Sequence, residues 1–393
     1  MQESMLKRTW AEINLDNLRH NFNVIKKSVK GGAKIMAVVK ADAYGHGDHY
    51  VSKELDECGA DFFAVSNIEE ALSLRKSGIK KPILIFGITP TKYVSDLAKL
   101  NITQTVFSKE YAKELNDSAE NSGVAVDCHL KLDSGMSRIG FRCESEDDFV
   151  FAKECYSLSN LNFTGVFTHF AVADENSISS QEFTKEQFEN FARFVERLKD
   201  NGCNVGLVHC CNSAGVLSYP QFHLDMVRPG LILYGLNPSD ECVCQELLPV
   251  MQLKSVVSMV KTIPADRSVS YGRTFVTPRE TTLATVCIGY ADGYPRSLSN
   301  RGEVLIRGKR AKIVGRVCMD QIIIDVTGIE GVRENDVVTL FGHDGNEFIG
   351  TDDLAKLDGT ISYELVCLIG KRVPRLYFKG NTPIDFVDVY LNK

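Results

Sequence analysis

Lys40 is the first side chain whose position points to chemistry. It follows the apolar run Ala37–Val39, so it stands at the end of a predicted strand and not on the solvated face of a helix. A lysine that is partly desolvated at such a place has a lowered pKa and can form a Schiff base with a carbonyl. That carbonyl could belong to a substrate, as in aldolases, or to pyridoxal phosphate (PLP).

Polar and titratable side chains also end several other predicted strands. They are Asp42, Tyr44 and His46 after the first strand, Lys131 and Asp133 at the end of the fifth, His169 at the sixth, Asn212 and Ser213 at the seventh, and Arg228 in the eighth. In a closed barrel of parallel strands the active site lies at the C-terminal ends of the strands. These residues are therefore the candidate site.

The loops after the seventh and eighth predicted strands are rich in small residues. They carry Asn212-Ser213-Ala214-Gly215 and Gly230-Leu231, in the place where barrels often bind phosphate. Small residues let backbone N–H groups approach an anion, and Ser213 adds a hydroxyl. Glycines are also ordinary turn formers, so the loops allow a phosphate site without requiring one.

Eight short strand-like runs alternate with amphipathic segments between residues 34 and 235, which is the pattern of βα units. The runs are KIMAVVKA, DFFAVSN, PILIFG, TQTVFS, VAVDCHLKLD, FTGVFTHF, GLVHCCNS and DMVRPGLILYG. In the segment NIEEALSLRKSG, Asn67 can cap a helix that Gly78 ends. Eight repeats predict a closed α/β barrel of the (β/α)8 type, whereas an open doubly wound sheet would need a GxGxxG turn after its first strand.

From about residue 246 the pattern changes to strands with Gly-rich turns and hardly any helical periodicity. The strand-like segments are QLKSVVSMVKTI, ETTLATVCIGYADG, EVLIRGKRAKIVGR and QIIIDVTG. We predict a cofactor-binding barrel over residues 12–245 and a mostly-β domain over 246–393 that includes the N-terminal segment 1–11. The segment TWAEINLDNL predicts a strand before a helix, and that strand could belong to either domain.

Composition limits the partners of the chain. Lys and Arg number 45 against 51 Asp and Glu, a formal net charge of −6, so there is no basic footprint for nucleic acid or an anionic membrane. The 12 cysteines are scattered without metal-ligand spacing, which indicates free thiols and no metal site. With no leader-like N-terminus and no apolar run of about 18 residues, we expect a cytoplasmic protein that binds a small molecule.

The segment AVVKADAYGHG (37–47) resembles the PLP-dependent alanine racemases of fold type III. Similar motifs follow in order through both predicted domains. They are HLKLDSGMSRIGF, FTHFAVAD, NSAG, RPGLILYG, SVSYGRTF, IGYADGYPR, GRVCMDQ and TISYE. The resemblance implies interconversion of L-alanine and D-alanine, and a role in supplying D-alanine for peptidoglycan.

The resemblance also implies the chemical roles. Lys40 would hold PLP as a Schiff base and act as one of two bases, while Tyr271 would act on the opposite face of the substrate α-carbon. His169 would be hydrogen-bonded to Tyr271, and Arg228 to His169. Arg228 would also face the pyridine nitrogen of PLP, and because a guanidinium keeps its proton, that nitrogen would stay unprotonated.

Binding residues are implied in the same way. The other cofactor contacts would be Tyr44, Asn212, Ser213, Gly230, Leu231 and Tyr363. Arg138, Met319 and Asp320 would bind the substrate, and Tyr290, Asp174 and Arg296 would line the entrance. In many members of the family the lysine at the place of Lys131 is carbamylated, so the resemblance implies that Lys131 becomes an anion that fixes Arg138, whereas an unmodified lysine there would repel it.

In the family the C-terminal domain of one subunit completes the active site of the other. This implies a homodimer in which Tyr271, Tyr290 and Met319 act on the site that contains the other subunit's lysine.

Three alternatives remain open. One is a serine or broad-specificity racemase, because serine adds only a hydroxyl to alanine. A second is a PLP-dependent amino-acid decarboxylase of the same fold, which would place an acidic residue where this chain has Arg228. The third is a single-domain PLP carrier barrel, which would leave the β domain without a purpose.

Overall fold

The computed structural model describes residues 8–380 and 382–391. The chain divides into two compact units. The barrel unit comprises Leu18–Ala43 and Asp48–Leu248, and the sheet unit comprises the chain up to Asn17, Tyr44–Gly47 and the chain from Pro249 on.

The elements are numbered in chain order. The strands are β1 (Thr9–Asn14), β2 (Lys34–Val38), β3 (Phe62–Val65), β4 (Ile83–Ile85), β5 (Ile102–Val106), β6 (Val126–Asp133), β7 (Phe141–Arg142), β8 (Leu161–Phe167), β9 (Leu207–His209), β10 (Met226–Val227), β11 (Met251–Ile263), β12 (Ser268–Val269), β13 (Phe275–Val276), β14 (Thr281–Val286), β15 (Glu303–Ile306), β16 (Lys309–Ile313), β17 (Ile322–Asp325), β18 (Val337–Asp344), β19 (Glu347–Ile349), β20 (Arg375–Lys379) and β21 (Thr382–Val387). The helices are α1 (Leu15–Ser28), the left-handed turn α2 (Lys40–Tyr44), α3 (Asp48–Cys58), α4 (Ile68–Lys76), α5 (Val94–Lys99), α6 (Lys109–Ser122), α7 (Glu146–Cys155), α8 (Ile178–Asp200), α9 (Ser213–Ser218), α10 (Thr351–Asp358) and α11 (Ser362–Leu368). Short 3₁₀ turns are Thr91–Tyr93, Pro220–Phe222, Leu231–Tyr234, Tyr271–Arg273, Tyr290–Asp292 and Arg296–Leu298.

The barrel unit contains a nearly closed sheet of parallel strands. Within the described ranges the strand order is β10-β2-β3-β4-β5-β6-β8-β9, with β7 pairing at the edge of β6. The ends of the sheet meet where the N–H of Asp225 donates to the Val208 carbonyl (3.1 Å) and the N–H of Arg228 donates to the Cys211 carbonyl (3.0 Å). Each predicted run contains one strand of this sheet, so the predicted barrel is confirmed.

Strands β2, β3 and β4 of the barrel are apolar on both faces. Met36–Val38, Phe63–Val65 and Ile83–Ile85 are buried throughout, as expected of parallel strands covered by helices outside and by packed side chains inside. The polar residues that end these strands therefore stand out against an apolar interior.

Helix α4 begins and ends where its sequence predicts. The side chain of Asn67 accepts a hydrogen bond from the Glu70 N–H (2.9 Å), which caps the first turn. The helix ends at Lys76, and Gly78 follows with a φ of 90°, a left-handed conformation that glycine adopts without strain.

The sheet unit is mostly strand, as predicted. Its large sheet, as far as the described residues extend, has the order β19-β18-β15-β16-β17-β14-β11-β1-β20-β21. Strand β1 lies in this sheet, antiparallel to β11 and parallel to β20. Helices α10 and α11 were not predicted, because segments of 8 and 7 residues are too short for a clear helical period.

Among the helices that the structure describes, none is both long and apolar enough to cross a membrane.

Candidate functional site

The polar residues predicted at strand ends do gather at the C-terminal ends of the barrel strands. Lys131 lies two residues before the end of β6. The other four follow their strands by one to three residues: Lys40 follows β2, His169 follows β8, Asn212 follows β9 and Arg228 follows β10. This placement is the one that a barrel active site requires.

Lys40 opens a left-handed turn. Residues 41–44 have φ values of 54°, 54°, 53° and 53°, although none of them is glycine. The left-handed conformation costs roughly 1–2 kcal/mol per residue, so other contacts must hold it. The Ala43 N–H donates to the Val39 carbonyl (3.0 Å), the Asp48 N–H to Asp42 (2.9 Å), and the Ala41 N–H to Glu70 (2.8 Å).

Arg228 is the buried centre of the site in the barrel unit. Its Nη1 lies 3.0 Å from His209 Nδ1, and its Nη2 lies 2.7 Å from the Thr168 carbonyl, 2.9 Å from the Cys210 carbonyl and 3.3 Å from His169 Nδ1. Its Nε–H forms no hydrogen bond with residues 8–380 or 382–391. Burial lowers the pKa of Arg228 to about 10, so it stays a cation at neutral pH.

Arg228 determines which nitrogen of each neighbouring ring carries a proton. An arginine N–H only donates, so Nδ1 of His209 and Nδ1 of His169 must accept. The His209 proton is therefore on Nε2, which donates to His129 Nδ1 at 3.0 Å, and the His169 proton is on its own Nε2. The ring of His209 also stacks on Phe167, with centroids 5.0 Å apart.

These rings are neutral at physiological pH. Burial, reinforced by the charge of Arg228, lowers the pKa of His169 and of His209 well below 6.5, and that of His129 to about 3. His129 and His209 were not predicted, because they lie within strand-like runs where a histidine is usually an ordinary core residue. What could have indicated them is that each is a histidine inside a strand-like run that is otherwise mostly apolar.

Lys131 is buried, with its Nζ donating to the Leu132 carbonyl and to the Ile139 carbonyl (3.3 Å). Burial is the main cause that lowers its pKa from 10.5 to about 7, opposed by Asp133 and reinforced by Arg228 and Arg138. A large fraction of Lys131 is therefore a neutral amine at neutral pH. A neutral amine is the form that can react with carbon dioxide.

Small residues and the hydroxyl of Ser213 lie together just after β9 and β10. The Gly230 N–H donates to Ser213 Oγ (2.9 Å), and Asn212 caps α9 by accepting from the Gly215 N–H (2.9 Å). A Cβ on Gly215 would lie 3.0 Å from the Cys211 Cβ, so a larger residue would crowd this turn. Small residues, a hydroxyl and the start of a helix are suited to a phosphate.

The donor set fits PLP. Lys40 would provide an amine for its carbonyl, and the Ser213 hydroxyl would provide a donor for its phosphate. The Arg228 Nε–H provides a donor for an unprotonated pyridine nitrogen.

Several predicted site residues of the sheet unit are exposed, among them the three that the resemblance assigns to the other subunit's site. Tyr271 is 71% exposed, Met319 53% and Tyr290 43%. Tyr271 begins a short 3₁₀ turn after Ser270, which has a φ of 62°. The Tyr290 N–H donates to the Cys318 carbonyl and the Ala291 N–H to the Met319 carbonyl, each at 3.0 Å, so the Tyr290 turn and the Met319 loop form one piece.

An ion cluster around one buried carboxylate supports that piece. Asp292 is fully buried and accepts from both Nη atoms of Arg8 (2.7 and 2.6 Å) and from the Gly289 N–H (2.9 Å). Arg372 Nε lies 2.9 Å from Asp292, and its Nη2 lies 2.7 Å from Asp320. Sequence reasoning missed Arg8, Asp292 and Arg372, since isolated charged residues are usually solvated.

The remaining predicted residues divide between the units. Tyr44, Tyr363 and Arg296 lie in the sheet unit, and Arg138, Asp174 and Leu231 lie in the barrel unit. Burial raises the pKa of Tyr44 and of Asp174. The roles implied for all of these residues stay predictions.

Comparison with known families decides what the chain is related to. Residues 13–238 match the family of the alanine racemase N-terminal domain, and residues 250–377 match that of the alanine racemase C-terminal domain.

The chain belongs to the alanine racemase family. The family and the enzyme class predicted from the sequence are thereby confirmed.

Individual alanine racemases are similar over almost their whole length. The alanine racemase of Desulfovibrio desulfuricans is 45% identical over 369 residues, which are 94% of this chain and 97% of the relative. The solved alanine racemase of Clostridium difficile 630 superposes with a TM-score of 0.90 at 40% identity, over 97% of this chain and 98% of that one. The alanine racemase of Bacillus anthracis, solved with bound L-Ala-P, has a TM-score of 0.91 at 37% identity over 99% of both chains.

Proposed function

We propose that the chain is a PLP-dependent racemase that interconverts L-alanine and D-alanine, using Lys40 and Tyr271 as two bases. Membership of the alanine racemase family supports the reaction. The observation that carries the choice of cofactor chemistry is the buried Arg228. Both of its Nη atoms form hydrogen bonds within the protein, and its Nε–H remains to donate to a ligand atom.

Arg228 distinguishes a racemase from a decarboxylase of the same fold. PLP, when bound, supplies an electron sink for the electrons of the bond broken at the α-carbon. Because Arg228 keeps its proton, it would donate to the pyridine nitrogen and give it no proton, so the cofactor would be a weaker electron sink. A weaker sink disfavours side reactions, which suits an enzyme that only moves a proton.

Lys40 and Tyr271 move that proton. Inversion at a carbon requires a base on each face, so one group removes the proton and the other returns one. Lys40 would bond the cofactor in the resting enzyme and then act on one face, and Tyr271 on the other. His169 is neutral with its proton on Nε2, so it can donate a hydrogen bond to a phenolate and stabilise the basic form of Tyr271.

The other residues would bind and orient. The cofactor phosphate would be held by Ser213, by the backbone of Gly230 and Leu231, and by Tyr44 and Tyr363. Asn212 would be a further cofactor contact. Arg138 would bind the substrate carboxylate, with Met319 and Asp320 beside it. The entrance would be lined by Tyr290, Tyr363, Asp174 and Arg296. A small pocket would favour alanine, although a pocket that tolerates the hydroxyl of serine discriminates by only about 100-fold.

Lys131 would be carbamylated. A bond forms between its neutral amine nitrogen and the carbon of carbon dioxide, and one proton is released to water. The product is an anion, which would pair with Arg138 instead of repelling it.

The enzyme would work as a homodimer in the cytoplasm, with Tyr271, Tyr290 and Met319 completing the site of the partner subunit. The exposure of these three side chains supports this arrangement. The D-alanine formed would serve peptidoglycan synthesis.

The test is to incubate the protein with L-alanine in deuterated water and to follow optical rotation and loss of the α-proton together. Both should occur. Lys40→Ala should abolish both, whereas Tyr271→Phe should preserve exchange from D-alanine much better than racemisation, because Lys40 still serves one face. Borohydride reduction should fix the cofactor on Lys40. Release of carbon dioxide from an amino acid, or failure to label Lys40, would contradict the proposal.

A further inference from the structure

Glu70 binds two backbone N–H groups that belong to different strand ends. Its Oε1 accepts from the Ala41 N–H at 2.8 Å, and its Oε2 accepts from the Ser66 N–H at 2.7 Å. Ala41 follows strand β2 and Ser66 follows strand β3. One carboxylate therefore ties together the loops after two neighbouring barrel strands.

The Ala41 N–H is part of the peptide bond that joins Lys40 to Ala41. The first N–H groups of any helical turn have no acceptor within that turn, and this holds for the left-handed turn as well. Its first internal bond is from the Ala43 N–H to the Val39 carbonyl. Glu70 supplies the acceptor that the turn cannot provide, at the residue next to Lys40.

Glu70 suits this task because of where it sits in α4. It is the third residue of the helix, after the cap Asn67, where a negative charge is favourable. A glutamate there ordinarily reaches back to the N–H of the cap residue. Here it reaches one residue further, to Ser66, and its second oxygen is left for Ala41.

We propose that Glu70 is a positioning residue for Lys40. Its carboxylate fixes the peptide group after Lys40 and the left-handed turn that starts there, and through them the place of the lysine amine. The inference rests on the proposed function, in which Lys40 holds PLP and moves the α-proton.

The test compares Glu70→Gln with Glu69→Gln. Glutamine keeps the length of the side chain but has one acceptor oxygen and an NH₂ donor, so it can serve only one of the two N–H groups. Glu69 is the adjacent residue of the same helical turn with the same charge. It is exposed and its side chain forms no hydrogen bond within the described parts of the chain.

For Glu70→Gln, kcat should fall about 10- to 100-fold in both directions, because a misplaced lysine loses rate in the proton-transfer step. KM for alanine should change by less than about 3-fold, since the substrate-binding residues are untouched. The visible circular dichroism of the bound cofactor, which reports its orientation, should change. Glu69→Gln should match the wild type in all three.

Glu70→Asp serves as a second variant, because it keeps the charge but is one methylene too short to reach both N–H groups. It should change kcat and the dichroism in the same direction. If both variants unfold at a lower temperature yet keep the wild-type kcat and dichroism, Glu70 only caps α4 and the inference is wrong. A wild-type protein that carries no PLP on Lys40 would instead overturn the proposed function, and Glu69→Gln would show the same defect.

Discussion

The Arg228 guanidinium determines the protonation of three histidine rings, although it touches only two of them. Because its N–H groups can only donate, Nδ1 of His169 and Nδ1 of His209 must accept. The proton of His209 is then on Nε2, which donates to Nδ1 of His129. Because all three pKa values are lowered, no ring takes up a second proton near neutral pH. The three rings are therefore neutral, and the ring proton of His169 is on Nε2, where it can be donated in a hydrogen bond.

Lys131 provides a prediction at the same scale. With a pKa of about 7, its neutral fraction rises as the pH increases from 6 to 8, so at a fixed pressure of carbon dioxide its carbamate should also increase. Carbon-13 NMR in labelled carbon dioxide should show a carbamate signal that grows over this range.

Lys131→Met is the control and should remove that signal. An ordinary lysine, with a pKa near ~10.4, would stay almost fully protonated at pH 8. A signal that is absent at pH 8, or that persists in Lys131→Met, would contradict the assignment.

At the scale of elements, strand β8 must carry a glycine where the ring of His129 lies. A Cβ on Gly165 would come within 2.6 Å of His129 Cε1 and Nε2. Gly165→Ala should therefore displace the ring and lower the free energy of unfolding by about 1–3 kcal/mol. Urea denaturation measures this change.

Gly370→Ala is a matched substitution, because a Cβ there would meet its nearest atom only at 3.6 Å. It should change the free energy of unfolding by less than about 0.5 kcal/mol. Equal effects of the two substitutions would show that the His129 ring moves aside without cost.

The loops that carry Tyr290 and Met319 depend on the ion cluster beneath them. Asp292→Asn removes the negative charge between Arg8 and Arg372. Because both arginine side chains are partly exposed, the expected cost is that of weakened charged hydrogen bonds, about 1.5–3 kcal/mol. We expect a lowered thermal midpoint, measured by calorimetry. Glu347→Gln removes an exposed partner of Arg310, and it should cost no more than about 1 kcal/mol.

At the scale of the whole molecule, a shared active site can be tested by mixing inactive variants. Lys40→Ala and Tyr271→Ala should each lack racemase activity. If each site takes Lys40 from one chain and Tyr271 from the other, random exchange of subunits in an equal mixture should restore about one quarter of the wild-type sites, because half of the dimers contain one intact site.

The measurement is the racemisation rate of the mixture after subunit exchange, compared with each variant alone. A site formed within one chain would stay inactive at every mixing ratio. Restoration would establish both the dimer and the exchange of residues between its subunits.

Much of the fold could be predicted from local patterns. The eight barrel strands, the cap at Asn67 and the strand-rich second domain follow from periodicity and from residue preferences over short windows. Helices α10 and α11 did not, because each has too few turns to show a period. The left-handed turn after Lys40 did not either, because it contains no glycine and its acceptor, Glu70, is supplied by another segment.

The sequence by itself determined the residue types at the strand ends and, through its long motifs, the family. Those features are local, because a strand, a loop and a motif each consist of consecutive residues. Only the tertiary structure decided that Arg228 would meet His209, that Arg8 and Arg372 would enclose Asp292, and that Glu70 would reach the peptide group of Lys40. These contacts join residues from different segments of the chain, and no short window of sequence records which segments will meet in the fold.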